Sequence, residues 1–294
     1  MKKTILGLLV LWATTLWAGA QQVSYLNYRA AAAPQTSCFA SKGELRLSLL
    51  RQTYVPDIGW TSGEDFGYRA KVALTSQLEN YLLVSDNQLN ISYSLTNNIS
   101  LSGSYLHSTR SELFVVEGGG SNIPYRGKTN AIHLGGAYRG RITPNLQWEL
   151  GTSVTMGGGK FNFEEQISFE LQHEKSYLSY NTFTHNLLGS ISFSYHKLQL
   201  TTQLNAGYLR HFKLRYTPVL PYAYENIVQQ FYAHQTDFYV EPALIVSINF
   251  QRLGLHYHFA YPYVRGESRV SKPTPTLGLG LSYRIFKGHN GEEQ

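Results

Sequence analysis

Hydrophobic and polar side chains alternate one position at a time along much of the chain. Between Leu146 and Met156 every second residue is apolar or threonine, and the residues between them are Gln147, Glu149, Gly151, Ser153 and Thr155. Because successive side chains of a β-strand point to opposite faces, this segment predicts a strand with one apolar and one polar face. The same alternation recurs along the chain and always stops at a turn, which indicates an all-β protein.

Short turns join pairs of these segments and predict antiparallel hairpins. The turns lie at 96–98, 144–145, 196–197 and 251–252. One opening strand from Gly43, four hairpins and one closing strand to Phe286 give ten strands, or twelve if 51–87 hides a further pair. Long connections are predicted at roughly 51–87, 110–128, 158–180, 213–234 and 262–275.

Short turns that alternate with long connections are typical of a barrel that crosses an outer membrane. The polar faces consist mostly of Ser, Gly, Gln and Thr, whereas a water-exposed sheet usually carries more Lys and Glu. A soluble sandwich is the alternative, because two packed sheets share the same period. The composition favours a single antiparallel transmembrane β-barrel with lipid outside, a polar lumen and both termini in the periplasm.

The beginning of the chain resembles a secretory leader. Lys2 and Lys3 precede an apolar run from Ile5 to Trp17, and the small residues 18–20 form a cleavage site. A run of 13 residues is too short for a spanning helix, which needs about 20. We therefore predict a signal peptide at 1–20, a periplasmic segment at 21–42, the barrel at 43–286, a periplasmic tail at 287–294 and a location in a Gram-negative outer membrane.

Composition narrows the function classes. The chain has 22 tyrosines, which fit the aromatic girdles of a membrane barrel, and its net charge of +6 is scattered without the basic cluster of a nucleic-acid-binding protein. Cys38 is the only cysteine, so an intrachain disulfide is impossible. Because no apolar run precedes Cys38, a buried or idle thiol is favoured over lipidation.

Two short segments resemble a known family. Tyr28–Leu45, which ends in Lys-Gly-Glu-Leu, and the hairpin Leu89–Tyr105 are similar to uncharacterised outer-membrane barrel proteins from Bacteroidota-type bacteria. The resemblance covers about the first third of the mature chain and implies an outer-membrane barrel without known catalytic residues. Many members carry a lipidated cysteine directly after the leader, and Cys38 does not occupy that position.

Charged and imidazole side chains on the inward face are the candidate site residues. By parity they are Glu44, Arg46, His133, Arg139, Glu149, His256, His258 and Arg284. Charges in a narrow lumen are expected to be paired. Arg139 lies within diagonal reach of Glu149, and closure of the barrel brings Glu44 and Arg46 near Arg284. We predict an ion-pair network that fills the lumen, because ten strands leave little more room than the side chains occupy; a selective pore lining is the alternative.

Catalytic motifs are absent from the sequence. It contains neither Gly-x-Ser-x-Gly nor His-Glu-x-x-His. The run Gly157–Lys160 resembles a phosphate loop, but Phe161 stands where Ser or Thr is required. A glycine-rich bend at the top of a strand is the preferred interpretation.

Three histidines suggest further chemistry. His256 and His258 share a face and could meet one metal ion, but no third ligand is identifiable, so neither a metal nor another cofactor is predicted. His234, near Asp237 at the barrel mouth, is the candidate general base of an outer-membrane hydrolase, although the spacing does not match the paired motifs of such enzymes.

Aromatic residues are frequent in the predicted loops. They can anchor a partner or lie at the lipid boundary; they are Tyr54, Trp60, Phe66, Tyr68, Tyr216, Tyr222, Tyr224, Phe231 and Tyr232. The predicted function is a non-catalytic barrel that is structural or binds an extracellular ligand or membrane-protein partner through its loops. A narrow pore for small polar solutes and a surface hydrolase are the alternatives. Outer-membrane lipid is an expected partner and nucleic acid is not.

Overall fold

The alternating segments of the sequence are strands. The computed structural model describes residues 41–54, 85–115, 122–164, 175–217, 236–261, 263–265 and 276–286. The strands within these ranges are β1 (Leu45–Tyr54), β2 (Ser85–Ser94), β3 (Ile99–Val115), β4 (Asn122–Thr143), β5 (Leu146–Glu164), β6 (Lys175–Tyr195), β7 (Leu198–Tyr216), β8 (Thr236–Phe250), β9 (Leu253–Ala260), β10 (Tyr263–Arg265) and β11 (Thr276–Phe286).

The sheet closes on itself as a barrel. Every pairing is antiparallel, β1 pairs with both β2 and β11, and β11 and β8 both pair with β9. The three-residue β10 continues the line of β9 along β8, so the wall has ten strand positions. Ten strands are therefore confirmed, and the alternative of twelve is wrong, because β1 bonds directly to β2 and leaves no room between them in the wall.

The four short turns lie where the sequence predicts them, but the long connections are shorter than expected. β3 continues to Val115, β5 continues to Glu164 and β6 already begins at Lys175. The prediction was wrong at these boundaries because it followed the apolar face of each strand. In these strands the apolar face ends several residues before the backbone hydrogen bonds to the neighbouring strand end.

The outer face of the barrel is an apolar belt. Leu134, Leu150 and Leu279 are each at least 60% exposed, and comparable residues surround the wall on all ten strands. The inner face is buried and mostly polar. A closed sheet that is oily outside and polar inside is the architecture of a membrane-spanning β-barrel, so the soluble sandwich is wrong.

The described ranges contain no helix that is long and apolar enough to span a membrane.

The glycine triplet 157–159 lies inside β5 and forms no bend. Its glycines do not adopt positive φ angles. Gly159 pairs with Tyr180, and a Cβ atom at Gly159 would lie 2.9 Å from the tyrosine ring. Glycine is needed here because an aromatic ring lies directly over its backbone, and the predicted bend is wrong.

Five neighbouring strands continue beyond the apolar belt. β4 has 22 residues, whereas a strand that crosses a membrane needs about 9–11. The excess of at least eleven residues raises this side of the wall by about 28 Å at the usual barrel tilt. We call this part the extended sheet; it comprises 107–115, 122–131, 157–164, 175–184 and 209–216.

Candidate functional site

One carboxylate holds two guanidinium groups at the seam where the barrel closes. Arg46 Nη2 donates to Glu44 Oε1 at 2.8 Å, and Arg284 Nε lies 3.3 Å from the same oxygen. Arg46 and Arg284 are direct partners across β1 and β11, and Glu44 is 3% exposed. The structure thus places these three residues together at the end of the barrel that carries the short turns.

Arg139 ties the hairpin β4–β5 to the turn between β2 and β3. It lies directly opposite Glu149 rather than diagonally, and both side chains are buried. Its Nε donates to the carbonyl oxygen of Asn97 at 2.8 Å. Its Nη2 donates to Ser94 Oγ at 3.0 Å and to the carbonyl oxygen of Thr96 at 3.3 Å. These bonds to backbone oxygens fix the turn against the neighbouring strand.

The two histidines of β9 have different partners. His256 Nδ1 lies 2.7 Å from Ser247 Oγ, and its Nε2 lies 2.6 Å from Ser282 Oγ. His258 Nδ1 lies 2.8 Å from Gln52 Nε2. Within the described ranges no three His, Cys, Asp or Glu side chains are grouped to hold a metal ion. The geometry therefore assigns these imidazoles to hydrogen bonds that link β9 to β8 and β11, and across β11 to β1.

Polar side chains elsewhere on the inner face are linked by hydrogen bonds. His133 is fully buried, and its Nδ1 lies 3.0 Å from Thr155 Oγ1. Gln88 Nε2 donates to Asn90 Oδ1 at 2.7 Å, and Asn90 Nδ2 donates to Ser48 Oγ at 3.2 Å. In such chains amides and hydroxyls bond to one another where water has little access, although His133 Nε2 has no hydrogen-bond partner among the described residues.

The described inward side chains leave a small cavity beside one half of the wall. It has a volume of about 20 Å³, which is room for about one water molecule. It is lined by Arg46, Ser48, Gln199, Thr201, Gln203, Ile245, Ser247, His256 and Ser282. These residues belong to β7, β8, β9, β11 and β1, which are five consecutive strands of the closed sheet.

Two tyrosines that the sequence analysis did not single out fold into the upper lumen. Tyr239 Oη donates to the buried Oδ1 of Asn186. Tyr180 meets His211 edge to face, with ring centroids 5.6 Å apart. Tyr180 lies in the predicted connection 158–180, and the sequence analysis did not follow the inward parity of β8 as far as Tyr239. The signal that could have found them is the inward parity of β6 and β8, continued beyond the last apolar residue.

Several predictions concern residues outside the described ranges. These are the signal peptide, Cys38, His234 and the loop aromatics Trp60, Phe66, Tyr68, Tyr222, Tyr224, Phe231 and Tyr232. Tyr54 ends β1, Asp237 lies in β8, and Tyr216 ends β7 with 39% of its surface exposed.

Comparison with known proteins gives no family assignment. No protein-family model and no curated protein matches the chain. Among solved structures, the KdgM porin aligns at 11% identity, over 82% of this chain and 99% of its own, with a TM-score of 0.34. The attachment invasion locus protein Ail of Yersinia pestis aligns at 13% identity, over 83% and 99%, with a TM-score of 0.35. The outer membrane protease OmpT from Escherichia coli aligns at 9%, over 83% and 94%, with a TM-score of 0.37. At these scores the likeness carries no argument about function.

Proposed function

We propose that this chain is a closed, non-catalytic barrel of an outer membrane that presents the extended sheet and its loops to a ligand or partner at the cell surface. The observation that carries the proposal is the contrast between the buried inner face of the described wall and strands that continue far beyond one membrane crossing.

The filled lumen supports a closed barrel. A conducting pore needs a continuous path of water, and the cavity between Arg46 and Gln203 holds about one molecule. Polar side chains that bond to one another along the inner face, such as Gln52 and His258, also resist displacement. Moving one of them would leave its buried partner without a hydrogen bond. In this respect the lumen resembles the core of a soluble protein, except that its buried side chains are mostly polar.

The extended sheet supports a role at the membrane surface. Strands of 17 to 22 residues expose few backbone groups as long as they stay paired, and β3 to β7 each keep a partner on at least one side to their ends. Among the described residues, the outer edges of β3 beyond Thr109 and of β7 beyond Arg210 have no strand partner. Membrane barrels place short turns in the periplasm and long segments outside. The orientation that follows points the extended sheet to the exterior of the cell.

Conductance in planar lipid bilayers tests the closed barrel. The refolded protein should insert without steady ion conductance, whereas a variant with Arg46, Gln199 and His256 changed to alanine should conduct, because it removes side chains that narrow the cavity in the lumen. The polar lining of the cavity favours a narrow pore as the second candidate. A steady conductance of the unaltered protein, reduced when Gln203 is changed to Trp, would establish that pore and contradict the proposal.

A further inference from the structure

A row of cationic side chains crosses the outer face of the extended sheet. Lys128 of β4 lies directly opposite Lys160 of β5, Lys160 lies opposite Ser179 of β6, and Ser179 lies opposite Arg215 of β7. Lys128, Lys160 and Arg215 are exposed and Ser179 is partly exposed. We call these four residues the cation row.

The two lysines are an unfavourable pair by themselves. Residues that face each other directly across antiparallel strands have Cβ atoms about 5 Å apart, and like charges at such positions destabilise the sheet. In the part of the chain that the structure describes, no carboxylate forms an ion pair with either lysine or with Arg215. Among the described residues, therefore, no carboxylate neutralises the charge of the row, and a counter-anion from the surroundings can bind there.

One ammonium group is held in place. Lys160 Nζ lies 5.1 Å from the centre of the Tyr177 ring, which faces outward on β6 above Ser179. A cation over an aromatic ring keeps its remaining donors free for an acceptor. Two ammonium groups, a guanidinium and a hydroxyl in one line supply the donors that bind phosphate oxygens well.

The row has a defined height above the hydrocarbon. The last apolar positions of the outer face in β4 and β5 are Ile132 and Met156, which are direct partners and about 60% exposed. Lys160 follows Met156 by four residues, which places it about 10 Å above that edge at the usual strand tilt. Between them Gly158 leaves the wall flat. Headgroups occupy this layer of a bilayer.

We propose that the cation row binds a phosphate group on the headgroup of an outer-leaflet lipid, whose acyl chains lie along the apolar belt below. The row points away from the lumen and into the lipid ring around the barrel, so a membrane lipid reaches it without competing with a partner on the loops. The inference rests on the proposed orientation, in which the extended sheet meets the outer leaflet.

Binding of defined lipids in neutral detergent micelles tests the inference. The probes are a diphosphorylated glucosamine disaccharide lipid, the lipid A type, and the same lipid without phosphates. The intact protein should bind the phosphorylated lipid at least tenfold more tightly. The row variant K128Q/K160Q should lose about thirtyfold of that affinity, since each cation near a charged lipid surface contributes about fivefold.

A matched control removes the same charge elsewhere. Lys197 and Arg252 are exposed cations in the short turns at the opposite end of the barrel, and K197Q/R252Q should bind within about twofold of the intact protein, because charges that far away are screened. Heat-modifiable gel mobility shows whether each variant has folded. Excess inorganic phosphate should displace little lipid, because it makes no contact with the apolar belt.

Three results would overturn the inference. They are equal affinity for the lipid without phosphates, an equal loss in K197Q/R252Q, and full displacement by inorganic phosphate, which would assign the row to a soluble anion. The micelle experiment depends neither on conductance nor on which way the barrel is inserted. A failure of the closed-barrel proposal is therefore distinguishable from a failure of lipid binding.

Discussion

Gln52 of β1 and His258 of β9 share a 2.8 Å hydrogen bond across β11, the strand that lies between them. Both pair in register with Gly278, and a Cβ atom at Gly278 would lie 2.9 Å from Gln52 Cγ. Because the middle strand presents no side chain at this point, residues from two strands that are not neighbours meet above it. This hydrogen bond therefore links β1 to β9 across β11, at the place where the barrel closes.

Gly278→Val should weaken this seam. The valine side chain would occupy the space through which Gln52 reaches His258, and overpacking of this kind costs about 1–3 kcal/mol. Urea titration of the protein in lipid vesicles, followed by tryptophan fluorescence, measures the loss. The matched control is Gly189→Val on the lipid-facing side, where a Cβ atom would meet only Leu150 at 3.7 Å. Equal stability of the two variants would show that the seam does not depend on Gly278.

Glu44→Gln should destabilise the barrel by about 2 kcal/mol, because it leaves two guanidinium groups without their shared carboxylate and both keep some contact with solvent. The double variant Glu44→Gln with Arg46→Gln should lose less stability than the sum of the single variants. Arg252→Gln, an exposed cation in a turn, serves as the control. Strict additivity in the free energies of unfolding would remove the proposed coupling.

Tyr239→Phe should cost about 1–2 kcal/mol, since the buried Oδ1 of Asn186 then loses the hydroxyl that donates to it. Tyr208→Phe should be nearly neutral, because its hydroxyl meets Thr236 at 3.4 Å on an exposed face. The free energies of unfolding of the two variants are compared under identical conditions. Indistinguishable values would mean that Tyr239 contributes through its ring alone.

Cysteine labelling should show the orientation of the barrel. In a Cys38→Ser background, Asn162→Cys places a thiol on the exposed face of the extended sheet, and Lys197→Cys places one in a short turn. A membrane-impermeant maleimide added to intact cells should label the first variant and not the second. After the cells are lysed, both should react. Labelling of Lys197→Cys in intact cells would show that the barrel is inserted the other way.

Side-chain parity explains how much of the fold the sequence predicts. A period of two assigns each residue between Leu146 and Met156 to lipid or lumen without further information, and the structure follows this assignment. The short turns then fix the strand count. Parity also places Glu44, His133 and His256 inside, where the structure finds them.

Strand ends and individual partners could not be predicted in the same way. A strand that leaves the bilayer loses the apolar face by which the sequence marks it, although its backbone hydrogen bonds continue. The sequence therefore predicts loops over most of the extended sheet. Partners depend on register and reach: Arg139 extends to the carbonyl oxygen of Asn97, and the cation row exists only because Lys128 and Lys160 are aligned. Neither alignment is visible in one strand alone.

The pairing of β1 with β11 has a consequence for biogenesis. Until β11 has left the ribosome, β1 exposes one whole edge of unsatisfied backbone donors and acceptors, and no lipid can satisfy them. The wall therefore cannot close until β11 is available to pair with β1.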